Sequence, residues 1–204
     1  MSMDIAFGIL LGIGLSAAAG FRVFIPLLVT NIASMLGYVE LTGGFEWMGG
    51  WIAFAAFTAA TLVEIFAYYI PWLDNLLDTI SGPLAMIAGT VLTASFLTEA
   101  NPLLQWVLGI IVGGGTAGIV KVGASAARLT STATTGGTGN AVVASSENVM
   151  SVATAILSFI IPFVTAFLVL LIVIYLIRKF SDIKKSWIFR KDEDIEKTLN
   201  EKDY

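Results

Sequence analysis

The residues that could do chemistry in this chain are few, and they stand in apolar surroundings. The stretch GLSAAAGFRVFIPLLV, 14–29, carries Arg22 four residues before Pro26. Proline has no N–H, so the carbonyl of Arg22 loses its helical partner. A permanent guanidinium and a freed carbonyl therefore share one place, and lipid satisfies neither. A charge inside hydrocarbon costs at least about 2.5–3.5 kcal/mol on insertion scales, so such a residue turns inward and takes a partner. The acids available are Glu64 in an apolar run, Asp74 and Asp78 four apart, and Glu147 beside Asn148. A spacing of four puts Asp74 and Asp78 on one helix face. A pair of Arg22 with Glu64 or Asp78 is expected. The chemistry such a centre allows is ionic recognition, because a guanidinium grips a carboxylate or a lipid phosphate through parallel hydrogen bonds. The candidate binding set is Arg22, Glu64, Asp74, Asp78, Lys121 and Asn148. The plainer reading is that the ion pair only fixes the register of the helices. Lys121 and Arg128, seven apart, are expected to snorkel to a common interface.

Other chemistry finds little support. There is no cysteine and no histidine. The commonest metal ligand and general base are missing, and so is any thiolate nucleophile. A serine or carboxylate alone would need an activating base, so no enzyme, catalytic residue, metal site or cofactor is expected. The run TTGGTGN, 134–140, lacks the Lys-Ser/Thr that a phosphate loop needs. Nucleic acid is not an expected partner, because no basic face is available.

The elements that must position these residues are apolar. Hydrophobic residues make up 57% of the 204 and charged ones 13%, against about 25% in soluble domains. Mean hydropathy is +0.88. A spanning helix needs roughly 20 apolar residues. Runs 5–33, 51–70, 73–97, 103–127 and 149–177 qualify. Pro26 interrupts the first, and Ser81-Gly82-Pro83 is expected to break the third. Trp47 and Trp51 suit a membrane interface. Residues 128–148, rich in Ser, Thr and Gly, read as a polar loop or cavity lining. Gly8, Gly12, Ser16 and Gly20 recur every four residues, as do Gly109, Gly113 and Ala117, and also Gly114 and Gly118. Small residues at that spacing let helix backbones meet.

Residues 1–177 thus read as one transmembrane domain and 178–204 as a charged cytoplasmic tail, since only Arg22, Lys121 and Arg128 among the basic residues precede Arg178. Positive residues next to a span stay cytoplasmic, which puts the C-terminus inside. Five full spans put the N-terminus outside, and a re-entrant first segment would put it inside. The N-terminus reads as a mature helix rather than a signal peptide. Gly14-Leu-Ser-Ala-Ala18 echoes Gly123-Ala-Ser-Ala-Ala127, each followed by an arginine, which suggests an internal repeat of the kind transporters use.

With VEIFAYYIPWLDNLLDTI, 63–80, and SSENVMSV, 145–152, the opening stretch resembles a bacterial membrane family, domain of unknown function 4126. The resemblance covers roughly 5–179 and implies a multi-spanning membrane domain without a catalytic assignment. GFRVFIP also resembles the Arg-Pro re-entrant segment of DedA-type lipid transporters, without the rest of their acidic motif. The expectation is an all-α polytopic integral membrane helix bundle of four to five spans with broken or re-entrant helices. It would sit in the bacterial cytoplasmic membrane, among lipids, and move a small anionic or lipidic substrate past Arg22. The alternative is a structural or assembly protein, a homo-oligomer packed through its glycine faces.

Overall fold

The computed structural model describes residues 3–67 and 69–181; the side chains of 71–76 and 78 also lie outside the description. Asp74, Asp78 and the charged tail beyond 181 therefore fall outside the described side chains and residues. Every regular element among the described residues is helical, with no strand. Helix α1 is Met3–Phe21 and α2 is Phe24–Met35. A 3-10 turn at Glu46–Gly49 leads into α3, Trp51–Ala67, and then α4, Pro71–Ala94. Helix α5, Pro102–Leu108, runs through a π-helical segment, Gly109–Gly114, into α6, Gly115–Thr135. Helix α7 is Asn140–Ile160, and α8 is Pro162–Ser181.

Among the described residues, four stretches are long and apolar enough to cross a membrane: 4–21, 102–135, 140–160 and 162–181. Phe163, Phe167, Leu168 and Ile174 lie on α8 with about half or more of their surface exposed. Water would penalise such a face and lipid would not. The helices fit a multi-pass integral membrane protein.

Helix α1 runs antiparallel to α4 and to α7. Positions of α1 meet α4 in reverse order, Gly8 by Phe96, Gly12 by Thr93 and Ser16 by Gly89. They meet α7 likewise, Gly14 by Ser158, Ala18 by Ser151 and Arg22 by Ala144. The break at Arg22–Val23 sends α2 back along α1, so that Phe7 and Leu11 share a cleft with Ile32 and Leu36. Pro26 explains the break: it sits in the first turn of α2, where its missing N–H leaves no bond unmade. The glycines pack as their spacing predicts. Gly113 abuts the backbone of Gly89, and Gly109 faces Thr90 and Ala94. Trp47, Trp51 and Trp106 are exposed on the half of the bundle where α1 begins.

Three expectations need correction. Helix α4 continues through Pro83; only the bond to the Thr79 carbonyl is lost there, which a helix held on other faces survives. Residues 128–148 are not a loop. They form the ends of α6 and α7, joined by a turn in which Gly136 and Gly137 take φ +64° and +91°. Hydroxyls in this polar stretch are satisfied within the helix by bonding back one turn, Thr130 to the Ala126 carbonyl, Thr134 to that of Thr130 and Ser145 to that of Ala141. Finally, 149–177 is not one span. Pro162 disfavours helical geometry at Ile161, which adopts φ −136° and ψ 62°. Helix α8 folds back on α7, bringing Leu176 and Ile172 beside Glu147.

Candidate functional site

Arg22 occupies the break between α1 and α2 and is fully buried. Its Nη2 donates to the Ala144 carbonyl of α7 at 3.0 Å. The same nitrogen stands 3.4 Å from Oε2 of Glu147, one turn further along α7. Arg128 of α6 grips the same carboxylate: Nε donates to Oε1 at 2.9 Å, and Nη2 pairs with Oε2. Glu147 thus joins two guanidiniums, and all three side chains are at most 5% exposed. Burial makes the pairing strict, because a lone buried charge has no water to turn to.

Glu64 takes a different part from the one its charge suggests. Oε1 accepts from the Val23 N–H at 2.8 Å and Oε2 from the Phe24 N–H at 3.0 Å. These are orphan donors at the start of α2, so Glu64 caps that helix from the end of α3. Glu147 joins the partners expected for Arg22, and Glu64, while accepting two backbone bonds, keeps lone pairs for a cation. Arg22 and Lys121 still lie near enough to attract the Glu64 carboxylate. The pair with Asp78, and the place of Asp74, fall outside the described side chains.

Lys121 and Arg128 do not snorkel outward; they are 4% and 3% exposed. The α6–α7 hairpin carries α6 beyond Arg128, so this residue does not stand at a helix end. Asn148 is half-buried, and its Oδ1 has no hydrogen-bond partner among the described residues. One residue from Glu147, it projects about 100° away around α7. The structure thus brings Arg22, Glu64 and Lys121 together, and adds Arg128, Glu147 and the Ala144 carbonyl. One sequence signal could have found the Arg128–Glu147 pair. Arg128 precedes Gly136 by eight residues and Glu147 follows Gly139 by eight, so a hairpin turning on those glycines sets them level.

A cleft of about 230 Å³ lies between α6, α7 and α8, with Glu147 in its wall. Gly123, Ala124, Ala127, Val143, Met150 and Leu176 make most of the rest apolar. Ala127, Ser146, Met150 and Ile172 on its margin are exposed, so it opens on the flank of the bundle. Among the described residues no cluster of three or more acids could hold a metal ion.

The model of the family described as domain of unknown function (DUF4126) matches residues 9–181. The chain belongs to this family, as AGFRVFIP and the acids around 63–80 imply. No curated protein matches it, and no solved structure does.

Proposed function

We propose that this member of the family is a transporter, moving a small anionic or lipidic substrate through the polar centre around Arg22. The observation that supports the reading is the pair of guanidiniums on one buried carboxylate at a broken helix, beside a cleft. Charged residues within membrane domains mark substrate and ion pathways, and broken helices build transporter sites. The chain's own residues supply recognition: Arg22 and Arg128 provide donors, and Glu64 fixes the turn that aims Arg22. No bond-making step is required, so the protein acts as a carrier rather than an enzyme. We place it in the bacterial cytoplasmic membrane with the C-terminus inside, from Arg178 and Lys179 at the end of the last span.

A second reading is favoured by the full burial of Arg22 and its paired state: a structural protein in which the ions set helix register. Proteoliposomes separate the two. Uptake of labelled carboxylates and phosphates, and flipping of fluorescent anionic lipids, are measured for wild type and Arg22→Ala. The transport reading expects one cargo to move and Arg22→Ala to fold without moving it. Undiminished movement by the variant, or none by wild type, leaves the structural reading.

A further inference from the structure

We propose that the cleft between α6, α7 and α8 binds the carboxylate of a single-chain amphiphile, which takes the place of the Glu147 side chain on Arg22 and Arg128. The inference deepens the transport reading and rests on it only in placing cargo at the arginines. Its grounds are the two features that meet at Glu147. Behind the carboxylate, two guanidiniums already hold a planar pair of oxygens. In front of it, the cleft is apolar except for Glu147 and Ser146. Its exposed margin lets a chain longer than the cleft run on into lipid, as a charged head with an alkyl tail requires. Gly123 and Ala124 supply the room; a Cβ on Gly123 would come within 2.9 Å of Leu176.

Charge decides the class of head group. Arg22 reaches Glu147 from the end of α1, and Arg128 reaches it from α6; Lys121 and Glu64 complete the described charges nearby. Helix α2 has no titratable residue, and α8 brings Ile172 and Leu176. Two ionised carboxylates cannot share one dry site without strong repulsion. The ligand therefore replaces the Glu147 carboxylate on the arginines rather than sitting beside it. The two ion pairs to Glu147 break, two form to the ligand, and the charge of the site is unchanged. A monoanion satisfies this balance and a dianion does not.

The test uses the full chain in phosphatidylcholine nanodiscs. The probes are radiolabelled laurate and dodecanesulfonate, the latter a monoanion at every pH used. Wild type should bind both. Glu147→Gln should bind the sulfonate about tenfold tighter than wild type near neutral pH, within the ordinary range of coupling between bound groups. Gly123→Leu should abolish binding of both probes at every pH. The proposal is overturned if folded wild type binds neither probe, if Glu147→Gln binds no tighter, or if Gly123→Leu binds as wild type does. Should Glu147→Gln not fold, wild-type binding and Gly123→Leu decide by themselves. Binding without movement in proteoliposomes rejects transport alone; movement of another anion without laurate binding rejects this inference alone.

Discussion

The Glu64 carboxylate closes the first turn of α2 by accepting from the Val23 N–H, 2.8 Å from its Oε1. A side chain from α3 thus holds the hinge that carries Arg22. The proline that breaks the α1–α2 segment leaves donors as well as a carbonyl to be met, and Glu64 meets two of them.

Glu64→Ala should therefore loosen the hinge. It strands one buried donor and one part-buried donor, and a buried donor left unpaired costs about 1–3 kcal/mol. Glu64→Gln should recover only part of the loss, since an amide offers one acceptor oxygen where the carboxylate uses two. Thermal unfolding in detergent checks the order, wild type above Gln above Ala. Equal melting of wild type and Glu64→Ala would remove the capping role.

Within the charged trio, Glu147 should be the most costly to remove. Glu147→Ala leaves two buried guanidiniums facing each other, and breaking a buried pair costs about 3–5 kcal/mol. Arg22→Ala leaves Glu147 still held by Arg128, so its loss should be smaller. The expected order of melting temperature is wild type, Arg22→Ala, Glu147→Ala. Arg128→Lys should rescue poorly, because Arg128 uses Nε and Nη2 together as a planar fork.

Gly12→Leu should destabilise the bundle, because a Cβ there would stand 2.7 Å from Thr93. Overpacking of this kind costs about 1–3 kcal/mol or more. Gly49 fails as a neutral control, since its Cβ would meet Ser34 Oγ at 2.5 Å. Gly43 has nothing within 4 Å and should accept leucine with little change. Similar losses for both variants in a detergent melt would contradict this account of the packing.

The α6–α7 turn and the C-terminal end of α8 lie at one end of the bundle, and the 36–50 connector lies at the other. The chain has no cysteine of its own, so single cysteines report cleanly. A membrane-impermeant maleimide should label Thr138→Cys from the face that carries the C-terminus and Gly43→Cys from the opposite face. Labelling of both from one side would overturn the arrangement.

By itself the sequence determined what local chemistry dictates. Long apolar runs require lipid, Pro26 removes the bond to the Arg22 carbonyl, and small residues every four positions allow close helix contacts. Each follows from a missing N–H, a missing side chain or a missing charge, and none depends on what packs opposite. Tertiary structure decided the rest. Arg22 meets Glu147 because α7 runs antiparallel to α1, and Glu64 closes the hinge backbone besides attracting Arg22. Arg128 turns inward because its polar neighbours satisfy their hydroxyls within the helix and let α6 continue past it. The partner of a charge is fixed by which helix faces come level, and that depends on turns far from it in the chain. Pro83 and Pro162 make the same point: one is absorbed within α4, the other separates α7 from α8, and only the packing around each distinguishes them.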